Sequence, residues 1–332
     1  MRIALDAMGG DYAPGEIVRG ALKAAEEFQV EIVLVGSREI IEKELKGNYA
    51  GGLVTVHHAS EVIEMDEHPA TAVRKKRDSS IVVSAGLVKQ GAADAVISAG
   101  NTGAAMAASL FALGRIEGIE RPAICAVLPT VKGSMILLDA GANVDCKPKH
   151  LHQFAVMGSV YAEKVLGRTN PRVALVNIGA EESKGNELTQ TVYQMLKDTS
   201  GINFAGNIEG RELLLGDVDV AVCDGFVGNV LLKTVEGCAL TLMGMIKKGL
   251  EPLAAEVGPE QIGSALGGIK QKLDYSHYGG APLLGLNGVS IISHGSSNAQ
   301  AIKNAVRVAK ESVNNALVTA IADNIGLMTK GE

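Results

Sequence analysis

Ala95-Val96-Ile97-Ser98-Ala99-Gly100-Asn101-Thr102-Gly103 is the stretch on which the reading of this chain turns. Ala95 to Ile97 reads as a short buried strand, the Ser-Ala-Gly-Asn run stops it, and the Ala-rich stretch to Gly114 restarts the chain as a helix. A strand-to-helix turn of this kind leaves unpaired backbone N–H groups and the positive end of a helix dipole facing outward, where an anion can sit. The same move recurs downstream. Asp139 to Asn143, Asn177 to Asn186, Asp224 to Asn229 and His294 to Asn298 each follow an apolar run and precede a helical one. In an open α/β sheet, turns at the carboxyl ends of the strands converge on one crevice.

On the N-terminal side, Met1 to Asp6, Val30 to Val35 and Leu53 to His57 read as strands separated by helices over Pro14 to Phe28 and Arg38 to Lys46. That is βαβαβ, the unit of a doubly wound parallel sheet. Glu61 to Asp78 reads as a polar loop carrying Arg74-Lys75-Lys76-Arg77, either a solvated face or a docking patch for an anionic ligand or acidic protein. Beyond the quoted stretch, Ala123 to Pro129 and Ser134 to Asp139 predict an antiparallel insertion at one sheet edge. His150 to Leu166 and Leu188 to Thr199 predict helices, Arg172 to Asn177, Phe204 to Ile208, Val218 to Cys223 and Val289 to Ile292 strands, and Asn298 to Ile325 a closing amphipathic helix. Residues from about 243 to 273 predict a helical arm outside the sheet, either a dimer or core helix pair or an interfacial tip whose Lys and apolar residues suit anionic lipid. No linker or repeat is visible, so residues 1–332 are expected to form one domain.

Composition excludes several function classes. With 47% hydrophobic and 20% charged residues over 332 positions, a sizeable core is available. The net charge of −6 offers no general attraction for nucleic acid. Cys125, Cys146, Cys223 and Cys238 lie far apart with no metal spacing, and read as buried thiols of a reduced, cytoplasmic protein. A strand beginning at Met1 leaves no room for a signal peptide. Ala95 to Gly114 lacks charge over about the length of a membrane span, yet its strand, turn and helix could not satisfy their backbone groups in lipid.

No GxGxxG follows a strand and no Gly-Lys dipeptide completes a P-loop, so common NAD and ATP sites are not expected. No GxSxG elbow marks a serine triad and no carboxylate cluster marks a metal, so neither metal nor cofactor is expected. The strand-end Asp residues Asp6, Asp139, Asp145 and Asp224 read as caps or turn residues as readily as ligands. His294 reads equally as a ligand contact or a structural residue. Lys184 lies in a polar loop between Ser183, Gly185 and Asn186, where its ammonium could hold phosphate as a point charge or simply sit in solvent. Asn101, Asn143, Asn186 and Asn229 offer neutral amide donors for a developing oxyanion.

Met1 to Asp11, Ile97 to Gly103, Leu137 to Asp145, Lys184 to Glu187, Asp224 to Asn229, Tyr278 to Ala281 and His294 to Ser297 together resemble, in order, the bacterial phosphate acyltransferases of phospholipid synthesis, the PlsX family. The resemblance implies transfer of an acyl group from acyl carrier protein to inorganic phosphate, giving acyl phosphate, the first committed step toward phosphatidic acid. It implies a three-layer α/β/α fold with a mostly parallel sheet, related to phosphotransacetylases and to isocitrate and isopropylmalate dehydrogenases. A homodimer, weak peripheral contact with the inner face of the cell membrane and a downstream membrane acyltransferase follow from it too. Matched residue by residue, the catalytic Lys is Lys184 and the catalytic Asn is Asn229. Asp6, Gly9, Gly10, Asn101, Thr102, Gly103, Asn143, Gly185, Asn186, Asp224, Gly225, His294, Gly295 and Ser296 are then expected to line the phosphate and thioester pocket. Arg74 to Arg77 become the expected carrier-protein dock, and the family's membrane-facing helix pair falls on Met243 to Leu273. A coenzyme A-dependent phosphotransacetylase or phosphotransbutyrylase shares the chemistry, and a non-catalytic scaffold would keep the fold alone.

Overall fold

The computed structural model describes residues 1–252, 258, 260, 261, 263, 267, 268 and 279–329. In chain order the elements are β1 (Arg2–Asp6), α1 (Gly15–Phe28), β2 (Glu31–Gly36), α2 (Arg38–Leu45), β3 (Val54–His58), α3 (Pro69–Lys75), α4 (Ser80–Lys89), β4 (Ala95–Ser98), α5 (Thr102–Leu113), β5 (Ala123–Ile124), β6 (Ala126–Thr130) and β7 (Gly133–Leu138). Then come α6 (Pro148–Lys164), β8 (Arg172–Asn177), α7 (Glu187–Asp198), β9 (Asn203–Glu209), β10 (Val220–Val222), α8 (Gly225–Leu250), β11 (Ala281–Leu284), β12 (Val289–Ile292), α9 (Ala299–Asn314) and α10 (Leu317–Thr329).

These strands form two sheets, ordered β3-β2-β1-β4-β12-β11-β5 and β6-β7-β10-β8-β9. Strand alternation produces the layers. Ile3, Leu5, Ile32 and Leu34 point into a buried cluster with α1 and α9, whereas Ala4, Val33 and Val35 point the other way onto Leu87 and Ala93. In the second sheet Ile136, Leu138, Val173, Leu175, Val220 and Val222 face α6 and α7, while Met135, Leu137, Ala174 and Ala221 face a cluster shared with α5. Helices on both faces of mostly parallel strands make this a three-layer α/β/α fold.

Three expectations are corrected. Residues 123–139 are not an edge insertion in a single sheet. The chain passes from β5, antiparallel to β11, straight into β6, antiparallel to β7, so this segment joins two sheets; β7 itself is an inner strand, parallel to β10. The polar loop over 61–78 contains α3, whose only apolar anchors are the buried Ala72 and Val73. The closing helix is two, broken where Ala316 takes a left-handed φ of +49° without any Gly or Pro to announce it.

Helix α8 stands apart. It is the one helix among the described residues long and apolar enough to cross a membrane, with mean hydropathy 1.3 and only 6% of its apolar window buried. Leu240, Leu242 and Met245 are exposed along it. The expected arm over 243–273 begins as the end of α8, and most of its remainder lies outside the described residues.

Candidate active site

The parallel neighbours β1, β4 and β12 bring three of the expected turns to one edge. After β1, Gly9 packs so closely on the next turn that a Cβ there would lie 2.8 Å from Gly100 N, and Asp11 N donates to Gly295 O (2.8 Å). Asp6 is buried, accepting from Ser98 Oγ–H (2.7 Å) and Met8 N–H (3.2 Å), and burial raises its pKa against the pull of those bonds. The Asn101 side chain caps α5 by accepting from Ala104 N–H (3.0 Å), and its amide donates to the carbonyls of Glu64, Met65 and Glu67. Thr102 and Gly103 open α5, and Gly103 lies against Pro69 of α3. His294 is exposed; its Nδ1 accepts from Ser296 N–H (3.2 Å) and lies 2.8 Å from Ser296 Oγ. This mouth is largely knitted to itself.

A second mouth forms where the parallel strands β7, β10 and β8 end together. Register pairs Val222 with both Leu138 and Leu175, so the chain leaves β7, β10 and β8 at the same end of the sheet. Asp224 caps α8 by accepting from Val227 N–H (2.9 Å), and Gly225 N donates to Asn143 O (2.7 Å). The Asn143 amide donates to Pro122 O (2.8 Å) and to Asp139 (2.9 Å). Asn229 follows on the next turn of α8, exposed, its side chain lying over Gly141.

Lys184 leaves the end of β8 on an exposed loop. Its stem folds back so that a Cβ on Gly179 would sit 2.9 Å from Lys184 Cγ, and Asn177 Nδ2 donates to its carbonyl (3.2 Å). Gly185 has φ +94°, and a side chain there would run into Thr189 and Asn177, so only glycine fits. Asn186 then caps α7 by accepting from Thr189 N–H (2.9 Å). Beside these groups lie exposed apolar surfaces, Ile178 at 81% and Phe226 at 61%. Exposed cation, exposed amide and exposed apolar surface thus share one edge.

Burial pushes the Cys223 thiol up and, with the charges of Asp139 and Asp224, pushes Cys146 up to about 12, which disfavours the thiolate in both. Cys125 and Cys223 are buried as expected, whereas Cys146 is half-buried and Cys238 is exposed on α8. Among the described residues no group of three or more His, Cys, Asp or Glu side chains is arranged to hold a metal. A cavity of about 650 Å³ lies elsewhere, between α6, α7 and α10, lined by His152, Val156, Met195 and Ile202 and by none of the expected site residues.

The basic run is not a uniform patch. Lys76 is tied to Glu67 and to Val62 O (2.7 Å), while Arg74 lies over the Phe111 ring at 5.6 Å and, with Lys75 and Arg77, stays exposed. In the sequence Asp139 reads as a cap or turn residue as readily as a ligand, with nothing to mark it as a positioning group. Its position at the close of an apolar strand is legible there, but its buried contacts become visible only in the fold.

The fold is that of the phosphotransacetylases. A phosphotransacetylase from Streptococcus pyogenes superposes with a TM-score of 0.59 at 18% identity, over 98% of this chain and 94% of that one. The EutD phosphotransacetylase from Staphylococcus aureus does so at 0.58 and 15%, over 94% of each. Within that fold class, residues 1–319 match the family model described as fatty acid synthesis protein. Phosphate acyltransferases from Desulforamulus reducens and Pelotomaculum thermopropionicum are 64% and 60% identical over 98% of this chain, covering 97% and 95% of theirs. The chain belongs to this phosphate acyltransferase family; it is an acyltransferase of fatty acid and phospholipid synthesis that uses phosphate and an acyl donor.

Proposed function

We propose that the acyl donor is acyl carrier protein and that the chain forms acyl phosphate for phosphatidic acid synthesis at the mouth of β7, β10 and β8. The observation that carries this is the placing of Lys184 on the loop after β8 and of Asn229 near the start of α8, the helix that follows the neighbouring parallel strand β10, both side chains open to solvent with the exposed Ile178 and Phe226 on the same two segments. Inorganic phosphate sits against the Lys184 ammonium. Already ionised near neutral pH, it needs no general base. Its oxygen forms the new bond to the thioester carbon, the Asn229 amide donates to the oxyanion, and the C–S bond breaks to release the carrier thiolate. Gly185, Asn186, Asp224, Gly225 and Asn143 shape this mouth; Asp6, Gly9, Gly10, Asn101, Thr102, Gly103, His294, Gly295 and Ser296 belong to the neighbouring one.

Residues 1–332 act as one catalytic unit, because a single buried cluster contains Val96 and Ala104 of the first sheet and its helix together with Met135 and Ala221 of the second. The exposed apolar face of α8 is read as the surface that meets a second copy or the inner face of the membrane, which suits a cytoplasmic homodimer feeding a membrane acyltransferase. Arg74, Lys75 and Arg77 supply the positive charge for an acidic carrier.

The test is phosphate-dependent thiol release from palmitoyl-carrier compared with short-chain acyl-coenzyme A. Higher kcat/KM with the carrier is expected. Preference for the coenzyme would assign the chain to the phosphotransacetylase reaction, and no acyl phosphate from either donor would leave only a scaffold.

A further inference from the structure

Asp139, at the close of β7, is 0% exposed, yet no cation neutralises it in any ion pair among the described residues. Its carboxylate is held by N–H donors instead. Oδ1 accepts from the backbone of Ile124 (3.0 Å), Gly141 (3.2 Å) and Ala142 (3.0 Å). Oδ2 accepts from the backbone N–H of Asn143 (2.7 Å) and from its Nδ2 (2.9 Å). A buried carboxylate costs several kcal/mol unless such donors surround it, so these bonds and the turn conformation over 139–143 stand or fall together.

The turn is also the seat of α8. A Cβ on Gly225 would come within 2.8 Å of Asn143 N and of Asp139 Oδ2, and one on Gly228 would collide with the Asp139 carbonyl. Asn229 is the next residue. Its Cβ, Cγ and Oδ1 lie 3.5, 3.6 and 3.6 Å from where a Cβ on Gly141 would stand, so its side chain rests against the turn that Asp139 organises.

We propose that Asp139 is a positioning residue for acyl transfer: by fixing the turn over 139–143 against the start of α8, it sets where the Asn229 amide meets the oxyanion. This rests on the reading of Asn229 given above. Asp139 is sealed beneath the turn and does not touch substrate; its action passes through Asn229.

Asp139→Asn keeps the shape but puts an NH2 among donors, leaving part of the turn unaccepted. The expected result is a fall in kcat of about 10- to 100-fold, since small misplacements of a reacting group have effects of that order. The KM values for inorganic phosphate and for palmitoyl-carrier should stay within about twofold. The decisive experiment is a cycle of wild type, Asp139→Asn, Asn229→Ala and the double variant. Action through Asn229 predicts that the double variant is no slower than Asn229→Ala alone. An equal fold loss of kcat in both backgrounds, or a raised KM at constant kcat, overturns the positioning role and leaves the Asn229 reading intact. Near-normal turnover by Asn229→Ala overturns both. Should Asp139→Asn not yield folded protein by circular dichroism, the same cycle is run with Asn143→Ala, which removes one side-chain donor to Asp139 and keeps every backbone one. The same non-additivity is expected, with a smaller fall.

Discussion

The two mouths are built alike and differ in what their polar side chains do. At the ends of β1, β4 and β12, the Asn101 amide is committed to three carbonyls of residues 64–67, Asp6 is buried, and glycine packs on glycine. At the ends of β7, β10 and β8, the buried Asp139 plays the part of Asp6, but Lys184 and Asn229 remain open. A glycine-rich turn after a parallel strand is therefore not a ligand site by virtue of its residues. It is one where polar groups are left over once the protein's own backbone has been satisfied.

The difference is broken most severely by removing a group from the open mouth. Asn229→Ala should lower kcat by about 10²- to 10³-fold, the range for loss of one oxyanion donor, with an unchanged melting temperature because the side chain is exposed. Steady-state kinetics with a thermal melt checks both halves. Gly228→Ala attacks the seat of that residue: a methyl group driven against the Asp139 carbonyl should destabilise by about 1–3 kcal/mol and lower activity with it, read from denaturant unfolding. In the knitted mouth the balance should invert. Asn101→Ala should lose about 1–2 kcal/mol through the α5 cap, more where the freed carbonyls stay dry, with kcat changed much less than in Asn229→Ala.

Much of this was legible in the sequence, and the limit is informative. The continuous apolar run Ile3-Ala4-Leu5 and the turn chemistry at Gly100, Asn143 and Asp224 locate strands and turns, because both are decided within a few residues. What the Asn101 amide binds is not local: its acceptors lie 34 to 37 residues back in the chain. Asp139 is likewise held partly by Ile124, 15 residues earlier and on a strand of the other sheet. The break at Ala316 carries no Gly or Pro signal, and the inner position of β7 depends on its parallel pairing with β10, far along the chain. The loop chemistry around Lys184 is local and legible in the sequence, whereas its stem crossing Gly179 is a fact of the fold.

Smaller effects sharpen the account. Reversing the charge of Arg74 and Arg77 should raise KM for acyl carrier protein several-fold, most at low salt, while reversing Lys76 should instead loosen the 62–76 segment that it ties through Glu67. Burial raises the Asp6 pKa above 3.8, so its contribution to stability is present in full below that value and is lost as pH rises through the raised one. Asp6→Asn cannot ionise and should lack that decline, seen by comparing denaturant midpoints of the two proteins from acid to neutral pH.

The central claim is that phosphate and thioester meet at the edge where β7, β10 and β8 end. It is tested most directly by phosphate-dependent thiol release from palmitoyl-carrier with Lys184→Ala, alongside its thermal melt. The account predicts a loss of at least about 100-fold in kcat/KM for phosphate at an unchanged melting temperature. Turnover and phosphate dependence close to those of the unaltered protein would contradict it.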